Sequence, residues 1–209
     1  MAPISYAISA HNEHVELERL LDFLNKHIRN EDEIVLQLDT SATPEVRKVA
    51  EKYNVGTRYE YHRIFFGLNG NFAAFKNNLK AHCTRPWIFN LDADEMLSEW
   101  FITNLPHILA DNPTVELFCV PRINTVEGLT QEHVERWRWN VNEKGWVNFP
   151  DIQTRILQNI PRIGWAGKVH EVITGQANHA VLPILEEYCI LHHKGIQRQE
   201  TQNNFYNNL

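Results

Sequence analysis

Short apolar runs alternate with amphipathic helical patterns over the first 95 residues, and this alternation constrains the fold more than any other feature of the chain. Residues 4–9 (ISYAIS) are a β-prone run, followed by the polar quartet Ala10, His11, Asn12 and Glu13. Leu17, Leu20, Leu21, Leu24 and Ile28 then recur at three- and four-residue intervals, on one face of a helix suited to packing on a sheet. Residues 33–38 read as a second strand ending at Asp39. Thr43, Pro44 and Glu45 supply the cap, first-turn proline and first-turn acid of a second helix, with Val46, Val49, Ala50 and Tyr53 inward. A third strand is expected at 57–61, a glycine-punctuated loop at 65–70, a helix at 72–83 and a fourth strand at 87–91. Strands that alternate with helices make a mostly parallel α/β sheet with right-handed crossovers, and such sheets bind ligands beyond the carboxyl ends of their strands. Asp39 and Asp92 both fall at such ends.

The second half reads differently. A strand is expected at 115–122, then a stretch containing Trp137, Trp139 and Trp146, then short β-like pieces at 153–157 and 168–174. A tail helix is expected from Gln197, weakened by Asn203, Asn204, Asn207 and Asn208. No Pro/Gly/Ser-rich linker separates the halves, so residues 1–209 are expected to form one domain, with a first half at 1–95 and a second at 96–209.

Composition narrows the partners. The 20 Lys and Arg against 26 Asp and Glu give −6, so no global positive field exists to hold a nucleic-acid backbone. Cys83, Cys119 and Cys189 are odd in number and widely spaced, which points to reduced thiols rather than a zinc site or a disulfide framework. The N-terminus has neither the charged nor the long apolar region of a signal peptide, and no window offers about 18 uninterrupted apolar residues. The expectation is a cytoplasmic protein, bacterial or in a phage-infected host cell, without a transmembrane segment.

Asp92, Asp94 and Glu95 follow the fourth apolar run directly. Hard divalent cations take oxygen ligands, and Mg²⁺ or Mn²⁺ commonly uses one or two carboxylates plus substrate phosphates, so an Asp-x-Asp at a strand end suits a metal–diphosphate site. A solvated turn leading into a helix capped near Ser98 is the equally weighted alternative.

Several short patterns in order carry a resemblance. Residues 8–13 (ISAHNE), 38–45 (LDTSATPE), 72–78 (FAAFKNN) and 87–95 (WIFNLDADE) resemble the family 2 glycosyltransferases of the GT-A fold. Pro121-Arg122-x-Asn124, 146–155 (WVNFPDIQTR), Val169-His170-Glu171 and His193-Lys194-Gly195 are similar to the branch containing lipopolysaccharide-core glucosyltransferases. Two features depart from the family pattern: Thr follows Asp39, and the chain ends soon after the His-x-Gly segment.

The resemblance implies a metal-dependent, inverting transfer of a sugar from a nucleotide-diphosphate sugar, a UDP-sugar first, to an acceptor glycan or other hydroxyl-bearing molecule. It implies that the first half binds nucleotide and the second half faces acceptor. Ala10, Asn12, Glu13 and Asp39 would line the base and ribose pocket, Lys76 and Asn77 would lie near the donor, Asp92 would touch ribose, and Asp94 would hold Mn²⁺ or Mg²⁺. His193 matches the position of a further metal ligand best, although the register against His192 is open. Helix capping by Asn12 and Glu13, and a solvated face for Lys76, are the structural alternatives.

Inverting transfer needs a base on the acceptor hydroxyl. Asp151 is the candidate, since partial burial beside tryptophan and phenylalanine would raise its pKa, with Glu171 as rival. An ion pair with Arg155, Arg162 or Lys168 is the alternative for either acid. Trp137, Trp139, Trp146 and Trp165 serve either as sugar platforms or as core. Two other functions compete: a nucleotidyltransferase, for which residues 10–13 lack the Gly-rich basic loop, and a non-catalytic sugar-nucleotide or carbohydrate-binding module. Hydroxymethylated phage DNA as acceptor is disfavoured by the −6 charge and kept alive by Arg136 and Arg138 between tryptophans.

Overall fold

A computed structural model describes residues 1–53 and 57–206. Its elements in the first half are β1 (Ile4–Ala10), α1 (His14–His27), β2 (Glu33–Leu38), α2 (Pro44–Lys52), β3 (Glu60–Phe65), α3 (Phe72–Ala81), β4 (Trp87–Asp92) and the two-residue β5 (Glu95–Met96). Then come α4 (Glu99–Asp111), β6 (Leu117–Glu127), α5 (Gln131–Trp137), β7 (Val147–Gln158), β8 (Gly164–Ala166) and β9 (Val172–Thr174). The chain continues through β10 (His179–Val181) and β11 (Ile190–Gly195) to α6 (Ile196–Tyr206).

The main sheet runs β3-β2-β1-β4-β7-β6-β11-β5, with β10 joining the same edge of β6 as β11. β1 to β4 are mutually parallel, as the alternation requires. β7 then enters antiparallel beside β4, so the sheet is continuous across the two halves of the chain. β8 and β9 form a separate two-stranded sheet. The architecture is a mixed α/β sheet flanked by helices.

Both faces of the sheet are covered. Leu17, Leu20, Leu21 and Leu24 of α1 are fully buried against one face, each worth about 1.5–3 kcal/mol of apolar burial. α3 and β8 cover part of the other face, packing Ala73, Leu79 and Trp165 on Val35, Ile88 and Leu157. β2 is buried at every position, Gln37 included, because helices flank it on both sides; the Gln37 amide is satisfied by the Phe75 carbonyl and the Asn78 side chain.

The structure corrects several expected boundaries. The third strand starts at Glu60 rather than at 57 and continues to Phe65, because Glu33 pairs with Glu60 and Leu38 with Phe65. β6 runs on to Glu127, since β11 pairs with it from Arg122 onward. The piece expected at 168–174 is a loop closing on β9, whose partner is β8. α5 was not expected; Thr130 and His133 form a reciprocal capping box that starts it. The tail helix begins at Ile196; Asn207 and Asn208 lie outside the described residues.

Candidate active site

The carboxyl ends of β1, β2 and β4 stand side by side, because Ala10 pairs with Leu38 and Ser9 with Asp92. Ala10 is buried, and its carbonyl accepts from the Asp39 amide. Asp39 organises the adjoining loops: one oxygen accepts from the Ser41 amide at 2.7 Å and from the Ser41 hydroxyl, the other from the Leu68 amide at 2.8 Å. Burial pushes the Asp39 carboxyl up, but these donors outweigh it and hold it below the usual range. Glu13 Oε2 accepts from the His11 and Asn12 amides, so the side chain closes the turn before α1, while the Asn12 side chain is exposed. A cavity lined by Phe66, Leu68, Asn71 and Lys168 opens beside this loop.

The Asp92–Glu95 turn is built on buried charge. Glu95, fully buried, accepts from Arg155 at 2.5 Å and from Arg122 at 2.9 Å, and its other oxygen accepts the Asp92 amide at 3.0 Å. Arg155 also donates to Asp92 at 2.7 Å. Desolvation among the packed strand ends raises the Asp92 carboxyl; Arg155 and then Lys76 more than reverse that and hold it well below the usual carboxylate range. The bend is thus held by ion pairs with Arg155 and Arg122, and Ser98 caps α4 as the alternative reading had it.

Asn124 joins this cluster to a histidine. Its amide nitrogen donates to Asp151 at 2.8 Å, and its oxygen lies 2.7 Å from His192 Nδ1. An ionised carboxylate can only accept, so Asn124 must present its NH₂ to Asp151 and its oxygen to His192, which fixes a proton on Nδ1. His192 Nε2 then faces Asp94 Oδ2 at 3.2 Å, both groups buried. In the neutral imidazole these are two acceptors facing each other, and a proton or a metal ion must lie between them.

His193 does not join the acids. β11 alternates, with Ile190, His192 and Lys194 inward and Leu191, His193 and Gly195 outward. His193 Nδ1 lies against Thr125, and the side chain is half exposed. The antiparallel pairing of His192 with Glu95 brings the other histidine to the acid turn, so of the two registers left open it is His192 that meets Asp94.

Asp151 accepts from Arg122 at 2.7 and 2.9 Å, from Asn124, and from Gln153 at 2.6 Å. Burial raises its carboxyl as expected, but Arg122 and the amide donors reverse the sign and hold it below the usual range. Its ion-pair partner is Arg122, not Arg155, Arg162 or Lys168. Among the described residues Glu171 has one ion-pair partner, Lys76 Nζ at 2.5 Å. Both line a cavity of about 360 Å³ with Gln153, Thr154 and Arg155, on the side of the sheet covered by α3 and β8. Trp165 is buried core at its edge. Asn77, expected near the donor, spends its amide on the Trp165 backbone, donating at 2.8 Å and accepting at 2.9 Å. Trp137 and Trp139 pack on each other.

The family model of Glycosyl transferase family 2 matches residues 5–164. The chain belongs to this family. No curated protein matches the sequence. Among solved structures, S. aureus TarS 1–349 in complex with UDP-GlcNAc superposes with a TM-score of 0.52 at 14% identity, over 61% of this chain and 36% of TarS. TarS 1–349 alone gives 0.53 at 13% identity, over 75% and 47%. The chain spans less than half the length of these TarS chains, and at such identity the likeness concerns the fold.

The family 2 match ends at Gly164, so Glu171, His192, Lys194 and Arg198 lie beyond it. Arg198 donates to Glu13 at 2.8 Å and forms an ion pair with Asp94 at 3.2 Å, a junction that sequence reasoning missed because α6 returns across 185 residues to Glu13 with no local signal. A second acidic grouping, Glu33, Glu60 and His62, sits at the opposite end of the strands, where Glu33 is already bonded to Ser5 and Thr84. Among the described residues no helix is long and apolar enough to cross a membrane.

Proposed function

We propose that this family 2 member is a metal-dependent, inverting glycosyltransferase that moves a sugar from a nucleotide-diphosphate sugar, UDP-sugars first, to an acceptor hydroxyl. The observation that carries the metal requirement is the lone pair of His192 Nε2 aimed at Asp94. A carboxylate and an imidazole suit Mn²⁺ or Mg²⁺, with Asp92 beside them, so the donor set fits the group. Asp94 and His192 would hold the ion, whose chemistry is to neutralise charge growing on the departing nucleoside diphosphate.

Asp151 is the proposed base. Arg122 and Asn124 keep it ionised at neutral pH, and among the described residues its Oδ1 carries a single hydrogen bond, from Gln153, leaving a lone pair for the acceptor proton. Glu171 is the second reading, favoured by having Lys76, among the described residues, as its one ion-pair partner in the adjoining cavity. The similarity to the lipopolysaccharide-core branch is supported by the meeting of two of its separate patterns: Arg122 and Asn124 of one bond to Asp151 of the other, and Arg122 and Arg155 share Glu95. A glycan acceptor accords with the −6 charge better than DNA does.

The test is thermal stability with UDP, GDP and TDP and their sugars, with and without Mn²⁺, on the wild type and Asp94→Ala. Ligands that bind only the folded state raise the melting temperature. A metal-dependent rise with one nucleotide, absent in Asp94→Ala, supports the reading. No rise with any nucleotide overturns it in favour of a carbohydrate-binding module, and pyrophosphate release from a nucleoside triphosphate plus sugar phosphate would favour a nucleotidyltransferase.

A further inference from the structure

The connection from β6 to β7 carries four large aromatic side chains and almost no core. Trp137, Trp139, Trp146 and Phe149 are all part exposed, α5 buries no residue, and from 128 to 149 only Val147 is buried. Apolar surface gathered on a connection and left half open marks a place where a partner docks. The rings are nonetheless held in place. His133, which caps α5 with Thr130, stacks on Trp137 at 5.1 Å, and the left-handed Arg138 turns the chain so that Trp139 packs on Trp137 at 4.6 Å. Asn142 Oδ1 accepts from the Lys144 and Trp146 amides, and Asn148 Oδ1 accepts from the Asn140 amide. From outside the connection, Glu200 of α6 reaches His133 at 3.5 Å and Arg136 at 3.9 Å, and Glu186 takes Lys144 at 2.8 Å. A surface braced in this way meets a ligand with little left to order.

The aromatic surface is continuous with the acids. Trp146 and Phe149 meet edge to face at 4.8 Å. Phe149, Asp151 and Gln153 alternate along β7 with the exposed Asn148, Pro150 and Ile152, so the phenyl ring shares a strand face with the Asp151 carboxylate. Two residues of strand advance about 7 Å, comparable with one pyranose residue. Charge on the connection is balanced: Glu132, Glu135 and Glu143 match Arg136, Arg138 and Lys144. Arg136 and Lys144 already have acid partners. The connection therefore presents flat apolar rings beside the exposed Asn140, Asn142 and Asn148, and no cationic track for a phosphate backbone.

We propose that Trp146 and Phe149, backed by the Trp137 and Trp139 pair, form a platform for an uncharged oligosaccharide acceptor. The sugar next to the reacting one lies with its C–H face on the rings, and the terminal sugar extends along β7 toward Asp151. The inference rests on the glycosyltransferase reading with Asp151 as base, and adds to it the class of the acceptor. Aromatic rings match the apolar face of a pyranose, and asparagine amides match its hydroxyls, which both donate and accept.

The probes are immobilised cellotetraose, maltotetraose, chitotetraose and mannotetraose, with hydroxymethylated duplex DNA at low and high salt as comparator. Binding of the full chain would be compared with Trp146→Ala, Trp146→Leu, Trp146→Phe and Phe65→Ala, each checked for folding by its unliganded melting temperature. Phe65 is the matched control: it is 46% exposed and carries Arg47 over its ring as Trp146 carries Lys144, but it stands on β3 at the opposite edge of the main sheet. Losing one buried ring face corresponds to roughly a tenfold or greater weakening. The proposal expects at least one oligosaccharide to bind, that loss in Trp146→Ala and Trp146→Leu, partial rescue in Trp146→Phe, and wild-type affinity in Phe65→Ala. Metal-dependent nucleotide stabilisation should persist in the Trp146 variants. Wild-type oligosaccharide affinity in a folded Trp146→Ala or Trp146→Leu overturns it, as does a wild type that binds nucleotide but none of the four oligosaccharides. Tighter binding to the DNA than to any oligosaccharide, falling with salt, overturns it in favour of a DNA acceptor. Oligosaccharide binding that depends on Trp146, in a chain that binds no nucleotide, overturns the transferase reading instead and leaves the platform to a carbohydrate-binding module.

Discussion

Arg155 donates to Glu95 across 2.5 Å with both side chains withdrawn from water, and the same glutamate receives Arg122. Glu95 is thus the anion that lets two guanidiniums exist beneath the acid turn. Glu95→Gln removes the charge while keeping the volume, leaving Arg155 to Asp92 and Arg122 to Asp151. Breaking such a buried pair costs about 3–5 kcal/mol. Urea unfolding at pH 7 should show a loss of that order, and a loss below about 1 kcal/mol would mean that the remaining acids carry the site alone.

The two adjacent histidines separate the metal reading from a structural one. His192→Ala is expected to abolish the Mn²⁺-dependent part of nucleotide stabilisation, because it removes the only imidazole facing Asp94 among the described residues. His193→Ala is expected to leave it intact, since that ring lies outward against Thr125. Equal effects in both variants would argue that the strand, not the ring, was being measured. Asn124→Ala should fall between, by freeing the tautomer that its oxygen fixes.

Acid sensitivity has a source remote from the site. Glu33 is buried at the start of β2 and accepts from the Ser5 hydroxyl and from the Thr84 amide and hydroxyl, each at 2.6 Å, tying the entries of β1, β2 and β4 together. Burial raises its carboxyl, but these donors win, and its folded pKa lies below the ordinary value. A depressed acid stabilises the fold above its unfolded pKa, about 4.3, and that contribution vanishes as pH falls through the lower folded value. Glu33→Gln lacks this ionisation, so the stability gap between wild type and variant should be full at pH 6 and narrow below about pH 4. A gap that stays constant with pH would assign the effect to geometry alone.

The parts of this molecule legible in the sequence are those with local causes. Periodic leucines announced α1, the Thr43-Pro44-Glu45 start announced α2, and an apolar run ending in acids announced β4. Boundaries slipped where pairing partners decide them: β3 and β6 extend as far as β2 and β11 support them. The ordered patterns led to the family, yet the side-chain partners were set by long-range register. Strand alternation gave His192 rather than His193 to Asp94, and the sign of the Asp151 shift depended on Arg122 arriving from β6. Arg198 left no sequence trace, because its partners lie in the turn before α1 and in α1 itself, and in the acid turn.

Asn77 offers a final separation of structure from binding. Its sequence context placed it near the donor, but its amide forms a two-point bridge to the backbone of Trp165, pinning β8 to α3. Asn77→Ala strands one N–H and one carbonyl of a buried residue, at about 1–3 kcal/mol each before water or relaxation compensates. Urea unfolding should therefore detect a loss of at least about 1 kcal/mol. Nucleotide affinity in the folded variant should stay within about twofold, because both polar atoms of Asn77 are turned to the Trp165 backbone while the bridge is intact. A large loss of affinity without a loss of stability would return Asn77 to the donor pocket and would require the β8–β9 hairpin to release it on binding.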